Sequence, residues 1–340
     1  MRMSEFKLLA NQYGKDGRPF LFLVDFETQK PFCCPLGDLE KEGIYFSIHG
    51  QSNDNKNAFA QDNIAISFKP MSFQDYSQAF HLVQKYLNAG DTYLINLCYS
   101  TPISLRFDSN MVSNHKENIN SHTSIINSLF LNTQAPYKLL FKDQFTLFSP
   151  ECFVRTQNGH IFSYPMKGTI DANIPDAAKI IMTDKKEIWE HNTIVDLIRN
   201  DLAMVSSNIE VTKYRFITEV HSHRNDLLQV SSEIRGELNK NWHDNIGDIL
   251  CALLPAGSIS GAPKKRTLEI IREAEKEDRG YFTGVFGIFD GKELDSAVNI
   301  RYVEKTKSGL QFRSGGGITA MSKAKAEYEE MVNKVYVPIS

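Results

Sequence analysis

The chain has 340 residues, of which 41% are hydrophobic, 23% charged and 11% aromatic, a composition that excludes disorder, collagen and coiled coil as its main description. Its 38 lysines and arginines against 41 aspartates and glutamates leave a formal charge of -3 and no basic surplus to neutralise a phosphate backbone, so nucleic acid is not an expected partner. The longest apolar run, Ile249 to Leu254, falls far short of the roughly 18 residues of a membrane span. Charges at Arg2, Glu5 and Lys7 stand where a signal peptide needs an apolar core, so a cytoplasmic protein without membrane contact is expected.

Residues 1–70 read as a short β-rich lead-in. It holds the strand-like runs PFLFLVDF and IAISF, separated by a polar surface loop over 51–63. Residues 71–340 read as the main domain. The first helix is predicted over 73–89, where Tyr76, Phe80, Val83 and Leu87 fall on one face and Gly90 stops the periodicity. TYLINLCYSTPISL reads as a strand, and the Asn/Ser/His-rich segment 107–124 as a loop or frayed helix. From 137 the runs YKLLF, FTLFSP, CFVRT and IFSYPMKGTI predict an antiparallel meander. One long helical block is predicted over about 176–204, with Ile188, Val195 and Leu202 seven apart. A helix announced by GSISGAP, three further strands and a closing helix over KAKAEYEEMVNKVY complete the pattern. The series argues for an α+β fold built on antiparallel sheet. The five cysteines, Cys33, Cys34, Cys98, Cys152 and Cys251, show no metal-ligand spacing and read as reduced and structural.

Four features carry chemistry. Glu187 and Glu190, and again Glu327 and Glu330, sit three apart, so each pair shares a helix face. Carboxylate oxygens suit a hard divalent cation such as Mg²⁺, although surface helices carry such pairs without any ligand. The Gly-rich turns AGSISGAPK (256–264) and SGGGI (314–318) would expose backbone N–H groups to an anion, or serve only as tight turns. Lys167, before Gly168, is a candidate nucleophile if desolvation lowers its proton affinity, or else a solvated lysine. Glu151 lies sixteen positions earlier, where one hairpin would bring it near Lys167 as an acid/base partner.

Together the strings FSPECFV, PMKGT, EHNTIVDLIRNDLAMV, LPAGSISGAPKKRTLEIIREAE, RGYFTGVFG, NIR and GGGI with EYEE resemble the chorismate-utilising enzymes over about residues 72–337. The resemblance implies an α+β fold with a large antiparallel β-sandwich core flanked by helices. It implies Mg²⁺ on Glu190 and Glu330, supported by Glu187 and Glu327. Chorismate carboxylates would be held by Gly168, Thr169, Arg301 and the amides of Gly315, Gly316 and Gly317. Ser258, Ser260 and Gly261 would line the same pocket and Lys334 its edge.

Two positions separate the branches of this family. Isochorismate and salicylate synthases use a water-activating lysine where this chain has Leu94. Anthranilate synthases show alanine where this chain has Lys167, a lysine that marks the aminodeoxychorismate synthase component I branch. The implied reaction is amination of chorismate through a covalent lysine adduct, assisted by Glu151. The chain shows no amidotransferase motif, so ammonia is expected from a glutamine amidotransferase component II, a glutaminase, as heterodimer partner. Rival readings are anthranilate synthase component I and a noncatalytic glutaminase-binding paralogue. The chain departs from the family pattern at Phe282, Gln229 and Met321, and its short lead-in argues against an amino-acid regulatory pocket.

Overall fold

Burial alternates strictly along Gly309–Ile318, every second residue facing inward, whereas Phe20–Val24 and Val285–Phe289 are buried at every position. The first pattern belongs to a sheet with one covered face, the second to strands covered on both. These strands belong to different sheets of the computed structural model, which describes residues 1–54, 64–107, 122–220 and 226–337. Most of the two segments read as polar loops, residues 55–63 and 108–121, lies outside the described residues.

The chain folds as two units drawn from discontinuous stretches. One comprises Met1–Leu36, Glu151–Lys264 and Arg279–Val298, the other Gly37–Pro150, Lys265–Asp278 and Asn299–Ser340. Residues 1–70 contribute to both, so the expected division at residue 70 does not coincide with either unit.

The first unit holds a nine-stranded antiparallel sheet. Phe20–Val24 pairs with Phe32–Pro35 on one side and Val285–Phe289 on the other, and the sheet continues through Leu294–Val298, Cys152–Gln157 and His160–Ser163. Leu227–Glu237 then takes His160–Ser163 and Met166–Asp171 in succession along one edge and Ser207–Val220 along the other. Phe20 and Phe289 meet with ring centroids 5.7 Å apart, and Trp242 stands edge-on to Phe289. The helix Met3–Lys15, which the sequence reading missed, is tied to Ile246–Leu253 by Asn11 and Lys7, both on Asp248. The helical block expected over 176–204 is two helices. Asp184 ends Ala177–Thr183 and caps Lys185–Ala203, accepting the Glu187 amide at 2.9 Å.

The sheet of the second unit runs in the order Leu94–Phe107, Gly309–Ile318, Tyr302–Thr306, Phe145–Ser149, Tyr137–Phe141, Ile44–Ile48 and Gln51–Ser52, with Ile64–Phe68 pairing the outer edge of Leu94–Phe107. The helix His122–Leu131 buries Ile126, Leu129 and Phe130 against Leu140, Phe148, Val303 and Phe312. The predicted first helix forms as Phe73–Asn88, with Tyr76, Phe80, Val83 and Leu87 buried and Ser72 as its cap. The α+β class and the antiparallel sheets match the sequence reading. Among the described residues no helix is long and apolar enough to cross a membrane.

Candidate functional site

Lys167 owes its position to a break in a ladder. Met166 pairs with Ser231 and Thr169 with Gln229, so three steps on one strand oppose two on the other, and Lys167 and Gly168 form a β-bulge. A bulge re-aims the side chain it carries. The Lys167 side chain is 19% exposed, and its ammonium lies 4.0 Å from Glu190 Oε2. Gly168 has φ +90, and a Cβ there would stand 3.0 Å from Glu187 Oε2 and 3.3 Å from Ile181 Cδ1. Both the backbone and the space therefore require glycine. Thr169 is exposed. Glu151 lies one residue before Cys152–Gln157, whose register with His160–Ser163 pairs Arg155 with Phe162. That pairing ends at Arg155 and Phe162, short of both Glu151 and Lys167.

The helix Lys185–Ala203 presents Glu187, Glu190 and His191 from the same end. Glu190 is buried, and its Oε1 has no hydrogen-bond partner, only the Lys186 ammonium at 3.5 Å. A buried carboxylate oxygen without a donor is costly unless a cation answers it. Burial, and then the neighbouring Glu190 charge, push the Glu187 carboxyl above the ordinary range. His191 is fully buried, its Nε2 2.6 Å from Ser232 Oγ, which also accepts the Arg215 amide at 2.9 Å. Burial and the Arg215 guanidinium bring its pKa down to about 4, so the ring is neutral at pH 7. His191 had been read only as part of a string, because its burial depends on strands that close over it later in the chain.

The turn 256–263 is held from two sides. Lys264 bridges Asp201 Oδ1 and the Leu253 carbonyl, each at 2.9 Å, and Arg279, itself buried, donates to the Ile259 carbonyl at 3.0 Å. Ser260 is fully buried and gives its hydroxyl to the Ala256 carbonyl, whereas Ser258 is half-buried and Gly261 buried. Lys167, Gly168, Thr169, Glu151, Glu187, Glu190, Ser258, Ser260 and Gly261 thus all belong to the first unit.

The remaining predicted residues belong to the second. Gly315, Gly316 and Gly317 are not an open glycine turn. They lie within Gly309–Ile318, in register with Cys98, Leu97 and Asn96. A strand residue points its N–H and C=O to one edge. Gly315, whose carbonyl accepts from Lys334 at 3.1 Å, and Gly317 therefore direct their amides away from the partner strand, and Gly316 directs its amide toward it. A Cβ on Gly316 would lie 3.7 Å from Glu327 Oε2, 3.8 Å from Glu330 Oε1 and 3.9 Å from Lys334 Nζ. This glycine leaves open the space that the Glu327 and Glu330 carboxylates border. Glu327 is buried, while the Glu330 side chain is 50% exposed and paired to Lys334 at 2.7 Å. Arg301, at φ +52, stacks its guanidinium 4.7 Å from the Tyr336 ring centroid, and its buried Nε has no hydrogen-bond partner.

Among the described residues no group of three or more His, Cys, Asp or Glu side chains is placed to hold a metal. Mg²⁺ is usually held by one or two carboxylates with waters and an anionic ligand. Taken each by itself, the buried Glu190 oxygen that meets only the Lys186 ammonium, in the first unit, and the Glu327 and Glu330 carboxylates beside Gly316, in the second, each offer the one or two carboxylates such an ion takes from a protein. A depression of about 400 Å³ lined by Lys41, Glu42, Tyr45, Asn127 and Lys142 contains none of the predicted residues, and its lysines are already paired to Asp38 and Glu42. Cys33 and Cys34 are buried, and burial pushes the Cys33 thiol up to about 12, as expected of a structural cysteine.

Residues 37–340 match the family of chorismate binding enzymes. The chain is 50% identical over 339 residues to an "Uncharacterized PabA-like protein" of Haemophilus influenzae, covering 99% of this chain and 97% of that one. It is 34% identical over 270 residues to aminodeoxychorismate synthase component 1 of Salmonella typhimurium, covering 77% of this chain and 56% of that enzyme. It is 31% identical over 272 residues to anthranilate synthase component 1 of Pseudomonas aeruginosa, covering 77% and 51%. The chain thus spans little more than half the length of these two synthases. Its fold matches MenF, the menaquinone-specific isochorismate synthase of Escherichia coli, with a TM-score of 0.68 at 17% identity, covering 97% of this chain and 80% of that one.

Proposed function

The chain belongs to the chorismate-binding enzyme family, and from that premise we propose that it aminates chorismate to 4-amino-4-deoxychorismate, as an aminodeoxychorismate synthase component I. The observation that carries this reading is Lys167, lifted out of the ladder by a bulge and set 4.0 Å from the buried carboxylate of Glu190. An amine nucleophile must be partly desolvated and fixed by its backbone, and both conditions hold at this position.

In the proposed reaction the Lys167 ammonium first releases a proton to solvent, and its nitrogen then forms a bond to the chorismate ring while the ring hydroxyl departs as water, taking a proton from Glu151. Ammonia then adds to the ring, the lysine leaves as an amine, and Glu151 recovers a proton from the incoming nitrogen. The enolpyruvyl group is retained. Glu190 and Glu330, supported by Glu187 and Glu327, would hold Mg²⁺, which supplies positive charge against the anionic substrate and its leaving group. Arg301 offers a planar fork to a carboxylate, and its stacking on Tyr336 fixes the plane of that fork. Gly168, Thr169, Ser258, Gly261 and the amides of Gly315 and Gly317 would complete the contacts to chorismate. Ammonia is proposed to come from a separate glutamine amidotransferase component.

The test is mass spectrometry of products after incubating the chain with chorismate, Mg²⁺ and ammonium, with and without an aminodeoxychorismate lyase. The expected product carries an amine, keeps its enolpyruvyl group and yields 4-aminobenzoate only when the lyase is added. Release of anthranilate and pyruvate would assign the chain to the anthranilate branch instead.

A further inference from the structure

Leu227–Glu237 is flanked by an irregularity on each side. On one edge the ladder slips at Lys167 and Gly168, and on the other it slips between Lys213 and Phe216, where Arg215 sits at φ +48. Ser232 stands between the two and is fully buried. Its amide donates to the Pro165 carbonyl at 3.1 Å, just ahead of the strand that carries Lys167, and its hydroxyl oxygen accepts the Arg215 amide at 2.9 Å. The same oxygen lies 2.6 Å from Nε2 of the fully buried His191. Nδ1, the other ring nitrogen, is buried and closes no full hydrogen bond. The backbone that acts on the ring is that of Lys167, and it favours a proton there, as a carbonyl does and an N–H does not.

These contacts decide where the ring proton sits. The Arg215 N–H occupies one lone pair of the Ser232 oxygen, and the buried hydroxyl proton still needs an acceptor. Among the described residues its remaining neighbour is His191 Nε2. Were the ring proton on Nε2, the hydroxyl would have nowhere to donate and the Nδ1 lone pair would face a carbonyl. With the hydroxyl donating to Nε2, the ring carries its proton on Nδ1, and every donor meets an acceptor.

We propose that His191 is a positioning residue for Lys167: Ser232 holds its ring in the Nδ1–H tautomer, and Nδ1–H donates to the Lys167 carbonyl, pinning the bulge that aims the amine. The inference rests on the reading of Lys167 as the reacting amine and adds what keeps it in place. A bulged residue lacks the ladder bonds that fix its neighbours, so its direction depends on a bond from outside the strand. A neutral ring supplies that bond without setting a second charge beside the Lys167 ammonium.

The first measurement is a long-range ¹H–¹⁵N correlation spectrum of the histidine rings of the full chain, whose pattern separates the two neutral tautomers. The chain has nine histidines, and the His191 signal is the one that disappears in His191→Asn. An Nδ1–H ring is expected, and an Nε2–H ring would overturn the proposal. The second measurement compares turnover of chorismate and ammonium in His191→Asn and His191→Gln. The asparagine amide reaches the place of Nδ1 and keeps the donor, whereas the glutamine amide reaches the place of Nε2 and loses it. His191→Gln should lower kcat by about fiftyfold and leave the chorismate KM within about twofold, since misplacing a reacting group costs on that order. His191→Asn should lose no more than about fivefold. Equal losses in the two variants, or a change confined to KM, would overturn the positioning role. The spectrum does not depend on activity, so a chain that leaves chorismate unaminated removes the functional reading alone, and the tautomer still decides the hydrogen bond.

Discussion

In Lys185–Ala203 the second glutamate of the pair, Glu190, is the buried one and Glu187 lies nearer the surface. In Ala324–Asn333 the first, Glu327, is buried and Glu330 is half exposed. The spacing is the same and the depth is reversed. Three-residue spacing fixes only that two side chains share a face; what the helix covers fixes which of them is desolvated. The first helix lies over Leu227–Glu237, Ser207–Val220 and the bulge at Lys167, and there Glu190 meets two lysines at ion-pair range without a hydrogen bond to Oε1. The second lies over glycines, and its exposed member is fully engaged by Lys334. The first pair thus buries the glutamate that meets Lys167 and Lys186, and the second leaves the glutamate that meets Lys334 at the surface.

Several changes would break or sharpen this contrast. The largest effect is expected at the reacting group. Lys167→Ala should lower turnover by at least about a thousandfold while chorismate binding persists, since removing a covalent nucleophile removes the pathway. Product formation and substrate binding measured side by side check this, and an active variant would exclude the covalent route. Next, Glu190→Gln should raise the Mg²⁺ requirement by at least about tenfold and more than Glu330→Gln does, because the buried oxygen has no substitute ligand. A Mg²⁺ titration giving equal effects would erase the asymmetry. Gly168→Ala should cost about 1–2 kcal/mol from the positive φ alone, and the contact with Glu187 should shift Lys167 as well. Urea unfolding measures the first effect and turnover the second.

The smallest effect concerns the turn 256–263. Burial raises the Asp201 carboxyl above its ordinary 3.8, with Lys264 opposing. A carboxyl raised in the folded state binds its proton more tightly there than in the unfolded chain. Its contribution to stability is therefore fully present below pH 3.8 and is lost as pH rises through the folded value. Asp201→Asn should flatten that part of the stability profile, which unfolding across acidic pH would record.

The elements legible in the sequence were those whose burial follows one period. Tyr76, Phe80, Val83 and Leu87 announce Phe73–Asn88 because large apolar side chains mark its face. Met3–Lys15 was missed because its buried face is Phe6, Ala10 and Gly14, two of them too small to register as a stripe. The break at Asp184 had a local signal, an aspartate three residues before Glu187, hidden inside an apolar periodicity that runs across it. The site residues were legible as motifs, but their geometry was not. The bulge at Lys167 is defined against Ser231 and Gln229, more than sixty residues later, and the strand character of Gly315–Gly317 against Leu97 and its neighbours, far earlier. Glycine in a row suggests a turn, and only the partner strand shows that at Gly315 a Cβ would run into Cys98 Sγ.

The pairing of Phe20–Val24 with Val285–Phe289 has a consequence for how the protein is made. Strands that lie about 270 residues apart in the chain must find one another before the first sheet is whole, which places the molecule among slow, high-contact-order folders. During synthesis the early strand emerges long before its neighbour exists, with a fully apolar face and an unpaired edge. Demand for chaperone protection should therefore be greatest while the ribosome is still translating the middle of the message, and should end when Val285–Phe289 arrives.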